Sequence, residues 1–237
     1  MVATAWRRSP DRAALAAGWI LASVGLALVL LAVSVARYPG GSLCDPAAVG
    51  FDVRCNYLSD LLRERGLDGR ENPGARPARA AMLVFIAGLP AFWALVPRLL
   101  PGRPRLGRLA RAAGWLSVPA WAAVPLVPSD RYGGLHGAFV VLAALPSLVA
   151  AAAALRGLRA EGRRRALLGV GLATMVGVGA AAGLHAWQQL TAAALPLTLV
   201  PTVQKAAGAL LLAWLVATAA AALRLPAGGL RGRPAAA

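Results

Sequence analysis

The chain has 237 residues, 59% of them hydrophobic and 14% charged, and a formal net charge of +16. So apolar a composition excludes a soluble globular domain and indicates an all-α polytopic membrane protein. The arginines fall in short clusters between long apolar runs, with no aromatic–basic alternation, so they read as topology signals and no nucleic-acid partner is expected.

Six segments reach the roughly 20 residues needed to cross about 30 Å of hydrocarbon. They run over 13–36, 79–97, 109–127, 135–155, 166–190 and 195–223. The reading is one six-helix transmembrane domain, 13–223, between short tails at 1–12 and 224–237. The first segment is too long for the core of a cleaved signal peptide, and no small-residue cleavage motif follows it.

After it comes a long connection, 37–78, whose length points to local structure or function. Within it CNYLSDLLRERG, residues 55–66, has the pattern of a short interfacial helix. Asn56 can cap it and Gly66 can end it; Leu58, Leu61 and Leu62 share one face, and Asn56, Ser59 and Asp60 lie on another. The plainer alternative is a solvated amphipathic turn in which Asp60 serves no chemistry. The next stretch, GLDGRENPGARP, reads as flexible turn chemistry.

Further along, Pro90, Pro119, Pro125, Pro146, Pro196 and Pro201 lie in or near spans, where kinks are tolerated and can open small cavities. The pairs Gly133–Gly137 and Gly179–Gly183 have the small-xxx-small spacing of closely packed helices.

Six spans put both termini on one side. The tails and the second and fourth connections, with Arg111 at the near end of the third span, carry sixteen arginines against two acids, while the opposite face, with Arg79 at the near end of the second span, carries eight arginines against seven acids. By the positive-inside rule both termini are cytoplasmic, in the plasma membrane, and 37–78 is extracytoplasmic. Cys44 and Cys55 then lie where a disulfide is stable, although spacing alone leaves two free thiols open.

Depth gathers the chemistry-bearing residues. Counted from the arginines at the other ends of their segments, Asp130, His136, His185 and Lys205 each stand nineteen or twenty residues away, about 28–30 Å along a helix. All four reach the end roofed by Ser59 and Asp60. Lys205 is the only lysine beside twenty-four arginines, and it sits after Gln204 in an otherwise apolar segment. Intramembrane ionisable groups usually face the protein interior and mark function. Each also has a plainer role: Lys205 can snorkel, Asp130 can cap a helix or pair with Arg131, and His136 can bind its own loop. His185 has Gln188 and Gln189 on its face, a polar cluster or an interhelical hydrogen bond. Two imidazoles with Asp60 or Asp130 would be a reasonable zinc set, although no His-Glu-x-x-His or His-x-x-x-His motif is present. Ser59 lacks nucleophile-elbow glycines.

The words NYLSDL (56–61), VPSDRYGGLHG (127–137) and LHAWQQ (184–189) together resemble the six-span bacterial membrane proteins of the domain-of-unknown-function 998 family, and more distantly the DRAM/Sfk-type membrane proteins. Leu58 stands where isoleucine is usual, and LLRERG replaces the commoner Leu-Gly turn. The resemblance covers most of the chain in span order and falls on Asn56, Ser59, Asp60, Asp130 and His136. It implies no settled activity, although the distant relatives point to membrane-lipid homeostasis. A looser likeness to transmembrane hydrolases such as alkaline ceramidases lacks their paired histidines on the last span. The expectation is an extracytoplasmic-side polar pocket, formed by Asn56, Ser59, Asp60, Asp130, His136, His185, Gln188 and Lys205, that binds a lipid headgroup or small anion. The alternatives are a metal-assisted lipid hydrolase and a structural or assembly protein.

Overall fold

The computed structural model describes residues 10–162, 164–191 and 195–224; the side chains of residues 10, 11, 185 and 188–190 lie outside that description. Six helices follow one another: α1 (Pro10–Arg37), α2 (Ala75–Leu95), α3 (Pro104–Ala123), α4 (Ser129–Glu161), α5 (Arg165–Thr191) and α6 (Leu199–Leu223). Short 3-10 turns extend α2 over Val96–Leu99 and α3 over Val124–Leu126, and a third, Leu58–Leu62, lies in the first connection.

Among the described residues five helices are long and apolar enough to cross a membrane. The exception is α3, the counterpart of the expected segment 109–127. Arg105, Arg108 and Arg111 occupy its first turns and leave residues 112–126 uncharged, fewer than the roughly 20 a span needs. Helix α4 is longer than the apolar pattern indicated. Its 33 residues, about 50 Å at 1.5 Å per residue, include a break at Gly133, where φ +32° and ψ −103° suit only glycine.

The helices pair as three antiparallel hairpins, α1/α2, α3/α4 and α5/α6, with α2 also packed on α3 and α6, α1 on α6, and α4 on α5. Because lipid tails give little hydrophobic drive to helix association, close packing must hold such a bundle. Its centre is an aromatic trio: Phe92 meets Trp93 at 4.6 Å and Trp214 at 5.3 Å, both edge-on. Glycines let the backbones approach there. A Cβ on Gly114 would lie 2.2 Å from the Trp93 ring, and one on Gly157 would lie 2.6 Å from Leu100. The pairs expected to pack closely do not do so: a Cβ at Gly133, Gly137, Gly179 or Gly183 would meet nothing within 4 Å. Four-residue spacing records a helix face but not whether a neighbour covers it.

Most of the main core lies toward one end, where the arginine-rich connections gather. There the Gly102 N–H donates to Glu161 at 2.7 Å, and Arg164 reaches the Ala221 carbonyl at 3.4 Å. A smaller core of Tyr38, Leu61, Leu62 and Ala78 fixes the connection between α1 and α2 at the opposite end. That connection is fastened along its length. The Ser34 hydroxyl donates to the Gly74 carbonyl at 2.8 Å, and Tyr38 Oη accepts the Leu67 N–H at 3.1 Å. Cys44 and Cys55 are joined in a disulfide. The stretch expected to be flexible is a hydrogen-bonded turn, in which the Gly66 N–H donates to the Arg70 carbonyl at 2.9 Å and Arg70 pairs with Asp68 at 2.6 Å.

Candidate functional site: a buried turn clasped by three hairpins

The expected helix over 55–66 contracts to the 3-10 turn Leu58–Leu62, buried at Asp60, Leu61 and Leu62. Its length has a local cause. Asn72 Nδ2 donates to the Leu61 and Arg63 carbonyls at 3.2 and 3.0 Å, taking acceptors that another helical turn would need, and Arg63 leaves the turn in an extended conformation. Asn56 does not cap the turn. It is fully buried, its Oδ1 accepting the Asp52 N–H at 2.9 Å and its Nδ2 donating to the Gly41 carbonyl at 3.0 Å and to Asp60 Oδ2 at 3.3 Å. Gly41 can be nothing else: its φ is +78°, and a Cβ would lie 2.3 Å from the Asp68 nitrogen.

Helix α6 holds the front of the turn. Gln204 Oε1 accepts the Leu58 N–H at 2.9 Å, and Lys205 Nζ donates to the Asn56 carbonyl at 2.5 Å. Asp60 completes the turn internally, its Oδ2 accepting the Tyr57 N–H at 2.8 Å. Helix α4 holds the back: Asp130 Oδ2 accepts the Glu64 and Arg65 N–H groups at 2.8 and 3.1 Å. Helix α2 supplies Arg79, whose Nη2 donates to the Leu62 carbonyl at 3.2 Å. One short segment of the first hairpin's loop is thereby fastened to all three hairpins.

The electrostatics follow from burial. Desolvation raises the Asp60 pKa above the ordinary carboxylate value, against the Tyr57 N–H, the Asn56 amide and the charges of Arg63 and Lys205, which favour the ionised form. Lys205 acts on Asp60 at a distance, since no contact ion pair joins them among the described residues.

Asn56, Asp60 and Lys205 therefore meet, and Asp130 joins them through the backbone of the same loop. His136 stands apart. Its Nδ1 donates to the Val127 carbonyl at 2.7 Å and pins the α3–α4 connection. Ser59 is half-buried, and its hydroxyl makes no hydrogen bond among the described residues. The side chains of His185 and Gln188 lie outside the described residues. Of the zinc set, Asp60, Asp130 and His136 are engaged separately, and no group of three or more His, Cys, Asp or Glu with metal-site geometry occurs among the described residues. Tyr38, Gly41, Asp52, Asn72 and Gln204 also build the site. Of these only Gln204, beside the lysine, carried a visible signal. The others read as ordinary turn residues, and their roles depend on how the loop folds back on itself. Compared with family models, curated proteins and solved structures, the chain matches none.

Proposed function

We propose that the chain is a six-span plasma-membrane protein, both termini cytoplasmic, whose clasped turn forms an outward-facing site for a lipid headgroup or small anion, with Lys205 as its cation. The observation that carries this reading is the state of the ammonium. Lys205 is half-buried, its described acceptor is a neutral peptide carbonyl, and no carboxylate lies within ion-pair distance among the described residues. A partly desolvated cation without a contact counter-ion favours an incoming anion, and an ammonium with three donors can keep its carbonyl while accepting one. The likeness of NYLSDL and VPSDRYGGLHG to a six-span bacterial family accords with it.

The arginine bias supports the orientation, and α3 counts as the sixth span because it runs antiparallel along α4 from a start level with Glu161. Reporter fusions to both termini should give cytoplasmic signals. The binding test is titration of the purified protein with short-chain phosphatidylglycerol. In a background carrying Arg131→Gln, which removes the exposed cation beside Glu64, Lys205→Gln should insert and fold but lose binding, and undiminished binding there would sink the assignment of Lys205.

One observation favours a second, purely structural role: Asn56, Asp60, Asp130 and His136 all bond to backbone. Under that reading substitutions lower stability in detergent and no anion binds.

A further inference from the structure

At the back of the turn two guanidiniums face one carboxylate. Arg79 Nη2 and Arg131 Nη1 each stand 3.7 Å from the same oxygen, Glu64 Oε1. That distance is an ion pair but lies beyond hydrogen-bond range. Arg79 Nε is buried and has no partner, an expensive state for a charged donor group. The neighbouring acid, Asp130, commits its Oδ2 to two backbone N–H groups of the loop. Arg131 lies over the Tyr132 ring at 5.3 Å, which steadies its guanidinium. Two guanidiniums thus converge at long range on a single oxygen, and of the Arg79 fork only Nη2 has a hydrogen-bond partner among the described residues, the Leu62 carbonyl.

We propose that Arg79 and Arg131 form a binding site for a phosphate group, monoester or diester, in which Glu64 is the internal carboxylate that an incoming phosphate displaces. Each fork can engage its own oxygen of a phosphate, whereas one carboxylate oxygen is shared between two donors at long range. Displacement leaves Glu64, already half-exposed, free to turn into solvent. Leu83, one turn along α2 from Arg79 on the same face, is exposed. It offers apolar surface to the chain of a phospholipid whose headgroup occupies the site. The proposal is independent of the Lys205 reading, because the two cationic sites lie at opposite ends of the turn.

The test is binding of two probes, inorganic phosphate and short-chain phosphatidylglycerol, to the full chain carrying Lys205→Gln, which removes the other proposed cation, in uncharged detergent, read by calorimetric titration. Arg131→Gln and Arg79→Gln should each weaken binding about tenfold or more. Glu64→Gln should tighten it several-fold by removing the internal competitor. Binding of both probes assigns the site to phosphate in general; binding of the lipid alone assigns it to a headgroup. If neither probe binds, the proposal fails. It fails equally if Glu64→Gln weakens binding or only lowers the melting temperature, which a plain structural ion pair would do. Arg131 is mostly and Glu64 about half solvent-accessible, so their variants decide the matter even if Arg79→Gln does not fold.

Discussion

Replacing Lys205 by methionine keeps a long flexible side chain and removes the ammonium. The Asn56 carbonyl, part of a fully buried residue, then loses its charged donor. Leaving a buried carbonyl unpaired costs about 1–3 kcal/mol. Lys205 is only half-buried, so solvent screening brings the expectation to the lower part of that range, about 1–2 kcal/mol. The variant also withdraws a positive charge that favours the ionised form of Asp60. The loss should be local, at the front of the turn. Amide hydrogen exchange of the segment containing Tyr57 and Leu58 should quicken about 5- to 30-fold, while peptides from the α2/α6 aromatic core should be unaffected. Lys205→Arg, which keeps a donor, should fall between. Equal protection of the turn in Lys205→Met and the parent would refute the clasp and leave snorkelling as the role of the lysine.

Two further outcomes follow from the same geometry. The Asp60 pKa is raised in the folded protein, so its contribution to stability is full below the ordinary carboxylate value and is lost as pH rises through the raised one. The protection of the turn, taken relative to the intrinsic exchange rate at each pH, should therefore be greater at mildly acidic pH than at neutral pH, and Asp60→Asn should flatten that dependence; an unchanged protection profile in Asp60→Asn would refute the assignment. Gly114→Ala places a Cβ where the Trp93 ring stands, 2.2 Å from it. It should cost about 1–3 kcal/mol, read as a lower melting temperature in detergent, whereas Gly179→Ala, with open space around it, should change little.

Apolar runs and arginine clusters made the helices legible, since span length and charge follow directly from hydration energetics. The exception was α3, where arginines occupy the first turns of a helix that packs along α4, so length and apolarity disagree. Counting residues from Arg224 and Arg111 placed Lys205 and Asp130 at one depth, and the structure brings both against one loop. Depth could not indicate what each would bind. His136 shares the level but turns back across the Gly133 break to the Val127 carbonyl. The turn itself was illegible as a 3-10 element. Its length depends on Asn72, outside the 55–66 stretch, competing for its carbonyls, and amphipathic spacing over 55–66 carries no trace of that. Lys205 and Gln204 looked anomalous within an apolar segment because their partners lie about 150 residues earlier in the chain.

The central claim, that the Lys205 ammonium supplies the charge for an anion site while Gln204 only fastens the turn, is tested most directly by one comparison. The affinity for short-chain phosphatidylglycerol is measured in Lys205→Gln and Gln204→Ala side by side, in a background carrying Arg131→Gln to silence the second cationic site. The account predicts loss of binding in the first, and in the second retained binding with a loosened turn. Equal affinities in the two variants, or equal losses, would contradict it.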